Sequence, residues 1–78
     1  MPEVTIGRVY RHYRGGLYEV LHTASENIYL YQPFTIVLKS KESGLIYVLP
    51  MSSFTGRVFS GSVMIDRFKL LDNPDENN

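Results

Sequence analysis

The residues best suited to chemistry lie in one short stretch, YRHYRGGLYEV at residues 10–20. A histidine and two arginines stand among three tyrosines, next to a Gly-Gly pair. An imidazole can transfer protons or bind a metal, guanidinium groups bind carboxylates and phosphates, and aromatic rings stack on flat molecules. The stretch is therefore a candidate binding surface or catalytic corner, unless these side chains only build a tight hairpin.

The Gly-Gly pair predicts a hairpin, for which two registers compete. With Gly15 and Gly16 as a two-residue turn, His12 would lie opposite Glu19. The alternative is a three-residue loop that begins at Arg14. We favour this second register, because it pairs opposite charges on one face and groups the apolar residues on the other. It places Arg11 opposite Glu19 and puts Tyr10, His12, Tyr18 and Val20 together on the other face.

His12 has two alternative roles. A half-buried imidazole can be a structural residue, held by a backbone carbonyl and a tyrosine hydroxyl, or an acid or base in a pocket. The structural role is the commoner of the two. His22 would lie further along the same face, but two histidines without a third nitrogen, oxygen or sulfur ligand do not define a zinc site. We expect no metal and no cofactor.

The composition limits the class of protein. The chain has 78 residues, of which 44% are apolar, so it makes one domain near the lower size limit for a single core. It has no cysteine, which fits a reducing compartment. The start of the chain lacks the features of a secretory signal, and no segment approaches the roughly 20 apolar residues that span a membrane. We therefore expect a cytoplasmic protein with no membrane partner.

The formal net charge is zero, but the charges are unevenly distributed. Residues 1–71 hold all eight basic residues and five of the eight acidic ones. The terminal Asn-Pro-Asp-Glu-Asn-Asn offers nothing to bury. The sequence predicts one domain at residues 1–72 and a disordered acidic tail at residues 73–78.

Most of the chain is rich in valine, isoleucine, tyrosine, phenylalanine and threonine, with glycine-containing breaks at short intervals. Such spacing is typical of short antiparallel strands. PMSSF at residues 50–54 instead predicts one helical turn, because proline favours the first helical position. These elements predict an all-β fold, a small SH3-like barrel of five or six short antiparallel strands, with a β-sandwich as the alternative. The predicted strands are residues 4–13, 17–24, 34–41, 45–49, 55–59 and 63–71.

Four blocks of the sequence resemble a known family: YRHYRGGLYEVL, the proline of QPF, GLIYVLPMSSF and IDRFKLL. In order and spacing they are similar to the small bacterial and phage family catalogued as domain of unknown function 1653. The resemblance runs from residue 7 to about residue 71, and its first block is the most specific. It implies an SH3-like fold. Because the family has no established activity, it implies no catalytic residues.

The chain departs from this family at positions that could line a site. The resemblance places the family's tryptophan at Tyr47, the arginine two residues later at Leu49, and an acidic residue at Ser52. The family's proline is replaced by Asp66, while the Arg-Phe pair that follows is retained. If the tryptophan and arginine line a ligand site in the family, this chain has altered or lost it.

An enzyme is the least favoured function. The carboxylates stand singly, the serines after Pro50 lack a nucleophile-elbow glycine pattern, and no glycine loop is suited to phosphate. Nucleic acid is a stronger candidate, because tyrosines could stack on bases. The neutral charge and the lack of a continuous basic stripe place it below a small ligand or a protein partner. The cations considered for nucleic acid are Arg11, Arg14, Lys39 and Lys41.

Self-association is expected, because the LIYVL segment at residues 45–49 is apolar on both faces and a barrel this small buries only one. Tyr-Leu-Tyr at residues 29–31 is a second apolar set. Pockets between subunits could hold an anionic small molecule such as a nucleotide. A phage-type protein that sequesters a host nucleotide signal is one version, by analogy alone. We predict a non-enzymatic, homo-oligomeric binding module whose ligand contacts include Arg11, Tyr13, Arg14, Tyr47 and Arg67, with His12 as a pocket histidine.

Overall fold

The structure is a computed structural model that describes residues 4–25, 27–29 and 33–71. Within these ranges the chain is mostly β, with seven strands and one short helix, so the all-β prediction is confirmed. The predicted tail at residues 73–78, and residues 30 and 31 of the second apolar set, lie outside the described residues. The elements are β1 Val9–His12, β2 Leu17–Ala24, β3 Thr35–Ser40, β4 Ile46–Pro50, α1 Met51–Thr55, β5 Arg57–Ser60, β6 Val63–Asp66 and β7 Phe68–Leu70.

Five strands form one antiparallel sheet in the order β4-β3-β2-β1-β7, and β5 pairs with β6 in a separate hairpin. Because β4 and β7 are edges of this sheet, the described strands do not close into the predicted barrel. The strand predicted at residues 63–71 is instead divided by a bend at Arg67, whose backbone N–H donates to the carbonyl of Gly56 and extends the pairing of β6 with β5. β6 therefore folds back on β5, and only β7 joins the sheet, beside β1.

The β1–β2 hairpin keeps the predicted faces but not the predicted pairs. Arg11 lies opposite Leu17 rather than Glu19, two residues from the expected register. The loop is longer because its two glycines take positive φ values of +104° and +90°, and the first donates its N–H to the carbonyl of His12. A slip of two residues leaves every side chain on its face, whereas a slip of one would reverse them all. Glu19 forms an ion pair with Lys41 at 3.7 Å.

A small apolar core lies on one face of the sheet, which we call the inner face. The helix α1 has only five residues, too few to be stable alone. Its Phe54 ring packs edge-on against the ring of Tyr10, with centroids 4.8 Å apart. This contact covers one half of the inner face. The buried core side chains are Tyr10, Val20, Ile36, Leu38 and Phe54.

A β-bulge in β2 makes the predicted position of His22, on the same face as His12, wrong. The pairing of β2 with β3 shifts between Val20, which is buried, and His22, which is exposed. Regular alternation would place these two residues on the same face, and the extra residue of a bulge breaks that alternation. His22 therefore does not share the inner face with His12.

One buried hydroxyl holds the turn between β3 and β4. Ser40 is 8% exposed, and its Oγ accepts the backbone N–H groups of Glu42 and Ser43 at 3.3 and 3.2 Å. Its own backbone N–H donates to the carbonyl of Leu45 at 2.9 Å. These hydrogen bonds fix the register at which β4 leaves the turn.

Candidate functional site

Four rings from four strands gather on the inner face at the border of α1, where Phe54 of the helix stacks on Phe68 with centroids 4.8 Å apart. His12 on β1 lies opposite Phe68 on β7, with ring centroids 4.9 Å apart. Tyr18 on β2 is 5.8 Å from Phe68, and Tyr47 on β4 is 6.0 Å from Tyr18. All three contacts are edge-to-face, a geometry that contributes about 0.5–1.5 kcal/mol per pair beyond the buried area. The rings therefore support one another without filling the space above them.

These rings border an open groove of about 360 Å³, which we call the Arg67 groove. Tyr18, Tyr47 and Phe68 form aromatic walls, and two leucines, one on β3 and one on β4, add apolar lining. The groove is thus apolar over most of its surface, with a few polar groups, as is typical of small-molecule sites. The polar side chains that line it are His12, Ser53 and Arg67, besides the two tyrosine hydroxyls.

Arg67 is held in place by its backbone. Its N–H donates to the carbonyl of Gly56 at 3.0 Å, and its carbonyl accepts the N–H of Tyr13 at 2.9 Å. Its side-chain Nε is buried, and no atom of the described residues accepts a hydrogen bond from it. Leaving a buried donor unpaired costs about 1–3 kcal/mol, and more for a charged group. The guanidinium of Arg67, a residue that lines the groove, therefore contains a donor that the described residues leave unsatisfied.

His12 is neutral near pH 7. Burial lowers its pKa below the ordinary value of 6.5, and the positive charges of Arg67 and Arg14 lower this pKa further. Its Nδ1 accepts the backbone N–H of Arg14 at 3.2 Å. Because Nδ1 acts as the acceptor, the neutral ring carries its proton on Nε2. His12 can therefore donate a hydrogen bond, and an anion beside it would raise its pKa.

A second groove of about 440 Å³, which we call the outer groove, also borders His12. Arg11 on β1 and Lys69 on β7 line it and lie opposite each other across the two strands. The β5–β6 hairpin contributes Met64 and Ile65 of β6 and the ion pair between Arg57 and Asp66, at 3.3 Å. With three cations against one carboxylate, the outer groove is the more basic of the two.

The residues predicted as ligand contacts surround His12 but divide between the two grooves. Tyr47 and Arg67 line the Arg67 groove, whereas Arg11 and Tyr13 line the outer groove. Arg14 is exposed in the β1–β2 loop, where its guanidinium lies 5.7 Å from the centre of the Tyr13 ring. His12 lines both grooves.

Sequence reasoning missed part of the Arg67 groove. Tyr18 was expected only in the core, although it is half-buried and forms a wall. Phe68 had a usable signal, since it follows Arg67 in the retained Arg-Phe pair. Leu49 had a signal too, since the resemblance placed the family's arginine there, at a position that could line a site. Leu38 and Ser53 carried no signal, because their shared position depends on where α1 crosses the sheet.

The described side chains include no group of three or more His, Asp or Glu residues arranged to hold a metal ion. In the same ranges no helix has the length and apolar character needed to cross a membrane.

The fold is that of a small, mostly β protein with an open, aromatic-walled groove on one sheet face. Residues 8–70 match the family described as protein of unknown function (DUF1653). This match covers most of the chain and every residue that lines the two grooves, so the chain belongs to that family and the resemblance inferred from the four blocks is confirmed. No curated protein and no solved structure has a significant match to the chain.

Proposed function

We propose that this chain is a non-enzymatic, cytoplasmic binding module whose Arg67 groove takes a small anion that carries a flat ring. The proposal depends on one observation, the buried Nε of Arg67 for which the described residues provide no acceptor. A carboxylate or phosphate would accept a hydrogen bond from this guanidinium. The Nε2–H of His12 is a second donor on the same groove.

The walls of the groove favour an aromatic ligand. Tyr47 is 40% exposed, so a ligand ring can cover a part of its surface that the protein leaves open. Stacking of a base on an aromatic side chain contributes about 1–3 kcal/mol. The groove volume of about 360 Å³ fits a compact molecule, since small-molecule sites span about 300–1,000 Å³.

The lining favours binding over catalysis. None of the described side chains that line the Arg67 groove is a carboxylate, and burial, with the charges of Arg67 and Arg14, holds the pKa of His12 below its ordinary value. General acid–base catalysis requires a group positioned to pass the proton on, and Nδ1 of His12 is engaged by the backbone.

A nucleotide combines the two features that the groove selects, a phosphate and a flat base. Sequestration of a host nucleotide signal by a phage-type protein is therefore one version of this function, and that version still rests on analogy. Self-association belongs to the proposal as well, because Tyr47 lies on an exposed edge strand where a second copy could close over the ligand. We also propose kinship to SH3-like barrels, supported by the one-turn helix that precedes the last strands.

Single-stranded nucleic acid is the second candidate, and the outer groove favours it. Arg11 and Lys69 are adjacent across β1 and β7, with Tyr13 on the same groove. Like charges directly opposite one another repel, and a phosphate between them would relieve that repulsion. An aromatic ring beside cations is the usual arrangement for binding a single strand.

A thermal-shift comparison tests the proposal with adenosine monophosphate, adenosine, inorganic phosphate, benzoate and a short oligothymidylate. Adenosine monophosphate should raise the melting temperature more than adenosine or phosphate alone, with stabilisation of about 2.7 kcal/mol at 100 times its Kd. Stabilisation by the oligonucleotide alone would favour the second candidate. No stabilisation by any ring-bearing anion would refute the proposal.

Two arginine variants localise the effect. Arg67→Gln should abolish the shift, whereas Arg57→Gln should keep it, because Arg57 lies outside the Arg67 groove with 64% of its side chain exposed. If both variants lose the shift equally, the ligand does not bind where we propose.

A further inference from the structure

The charged side chains of the five-stranded sheet share one face, which we call the outer face. Arg11 on β1 lies opposite Lys69 on β7. Glu19 on β2 lies opposite both Val9 on β1 and Lys39 on β3. Val9 and Arg11 are two residues apart, so the two cross-strand rows lie on the same side of the sheet. The described strands of this sheet contain no other Asp, Glu, Lys or Arg.

The outer face is basic. Lys41 follows β3 on the same side, since its Nζ lies 3.7 Å from a carboxylate oxygen of Glu19. The face therefore carries four cations and one carboxylate, although the whole chain has a formal net charge of zero. The cations come from three separate segments of the sequence, which is why the sequence shows no continuous basic stripe. They are Arg11, Lys39, Lys41 and Lys69, and all four are exposed.

These cations form a row across the strands. The strands β7, β1, β2 and β3 are consecutive neighbours in the sheet. Neighbouring strands lie about 4.8 Å apart, so the row from Lys69 to β3 is about 14 Å long. Phosphates follow one another at about 3.4 Å along the axis of a stacked strand. The row is therefore long enough for several consecutive phosphates.

The outer groove lies at one end of this row and has the lining that an unstacked base requires. Tyr13 lines it beside Arg11 and Lys69, and the β5–β6 hairpin adds Met64 and Ile65. Aromatic and apolar side chains next to cations bind the exposed bases of single strands. The bases of a duplex are stacked on one another, and a chain of glutamates has no ring. The groove therefore favours a single strand over these other polyanions.

We propose that the outer face is a binding surface for single-stranded nucleic acid, with the phosphates on the row of cations and one base in the outer groove. The proposal rests on the second candidate function above and extends it from one groove to a path across four strands. It is independent of the ligand of the Arg67 groove, which lies on the inner face.

Glu19 limits the affinity of this surface. Its carboxylate is the one negative group on the strands of the sheet, and it lies beside Lys41. Both side chains of this ion pair are partly exposed, 33% for Glu19 and 48% for Lys41, so the pair contributes little to stability. A phosphate that binds Lys41 has to compete with this carboxylate.

The test measures binding of a fluorescently labelled oligothymidylate of about 12 nucleotides by fluorescence anisotropy. Between about 50 and 200 mM salt, log K should fall with log salt at a slope of about −2, the value for about three neutralised phosphates of a single strand. An unlabelled duplex and polyglutamate should compete poorly. Absence of binding at the lower salt concentration, or equal competition by polyglutamate, would overturn the proposal.

Two variants with the same change of charge separate the outer face from the net charge. Lys69→Gln should weaken binding and reduce the steepness of the salt dependence by about 0.7, because one phosphate contact is lost. Ser52→Glu lowers the net charge equally, but its position is exposed on α1, against the inner face. It should leave the affinity and the slope unchanged. Equal losses in the two variants would mean that net charge alone governs binding, against the proposal.

Glu19→Gln should strengthen binding by about two- to fivefold, since it removes the carboxylate that competes for Lys41. A gain of affinity cannot result from misfolding, so this variant remains informative if a lysine variant is unstable. Unchanged or weaker binding would contradict the proposed row.

Tyr13→Leu tests the base contact separately from the phosphate contacts. It should lower the affinity about tenfold at every salt concentration and leave the slope unchanged, because stacking releases no counterions. Full affinity in this variant would refute the placement of a base in the outer groove.

Lys69→Gln also distinguishes this proposal from the ligand proposal. Lys69 does not line the Arg67 groove, so the variant should keep the thermal shift with adenosine monophosphate while it binds the oligonucleotide more weakly. Equal loss of both ligands would show that the two surfaces are not independent, contrary to the proposal.

Discussion

The two halves of the inner face are built from the same sheet and the same kinds of side chain, yet one half is closed and the other is open. In the closed half Val20 and Ile36 are fully buried and Phe54 is 3% exposed, because α1 lies across the strands. In the open half His12, Tyr18 and Phe68 keep part of their surface exposed around the Arg67 groove. A helix of five residues covers only what its two large side chains, Met51 and Phe54, reach. The ring of Phe54 stacks on Phe68 at the boundary of the two halves, with centroids 4.8 Å apart. The area of sheet that α1 covers therefore determines where the buried core ends and where the Arg67 groove begins.

The largest expected effect on stability comes from removing the ring with which α1 covers the sheet. Phe54→Ala should lower the free energy of unfolding by about 3–5 kcal/mol, because it removes a buried ring and leaves a cavity. Urea denaturation would measure the loss, and Phe54→Leu should recover most of it. A loss below about 1 kcal/mol would mean that the closed half does not depend on α1 as described.

A smaller effect is expected at the loop that supports the open half. Gly16 and Gly15 both have positive φ, so alanine at either position should cost about 1–2 kcal/mol. A Cβ at Gly16 would also lie 3.2 Å from the ring of Tyr18, whereas one at Gly15 would meet nothing within 4 Å. Gly16→Ala should therefore weaken ligand binding and Gly15→Ala should not, as measured by calorimetry. Equal affinity of the two variants would mean that Tyr18 does not contribute to ligand binding.

Tyr47→Ser should affect stability and binding differently. The ring is 40% exposed and makes one edge-to-face contact with Tyr18, so its loss should cost about 1 kcal/mol of stability. The affinity for a ring-bearing anion should fall about tenfold or more, since stacking contributes about 1–3 kcal/mol. Unchanged affinity would contradict the role of Tyr47 as a wall.

The smallest effect is a pH dependence of stability from His12. Because its pKa is lower in the folded chain than the unfolded value of 6.5, the unfolded chain binds more protons below that pH. Stability should be unaffected by this residue above pH 6.5 and should fall as the pH drops through the window between 6.5 and the folded pKa. His12→Gln should remove this dependence in denaturation curves between pH 7 and pH 5. A bound anion should reduce it by raising the pKa of His12.

The faces of the strands could be predicted from the sequence more reliably than their partners. Alternation of apolar residues correctly located β2 at residues 17–24 and put Tyr10, His12 and Tyr18 on one side. The register was off by two residues, because it depends on backbone hydrogen bonds in the Gly-Gly loop that alternation does not encode. The bulge that turns His22 outward was not predictable from alternation either, because it depends on how β2 pairs with β3.

The candidate site was predictable in composition but not in shape. The stretch at residues 10–20 and the Arg-Phe pair contain His12, Tyr18, Arg67 and Phe68, which meet at one end of the sheet. Of these four, His12 and Arg67 were predicted as site residues, whereas Tyr18 was expected in the core and Phe68 was not named as a contact. The division of the predicted contacts into two grooves could not be foreseen. It arises because the strand expected at residues 63–71 breaks at Arg67, which separates the hairpin from the sheet.

The turn at Ser40 has a consequence for how variation would act on this protein. Its hydroxyl fixes the departure of β4, which carries Tyr47 as a wall of the Arg67 groove and, on the opposite face, the exposed side chains of Ile46 and Val48. A genetic screen for loss of ligand capture and a separate screen for loss of self-association should both recover changes at position 40. Selection on either trait would therefore preserve a hydroxyl group that touches neither surface.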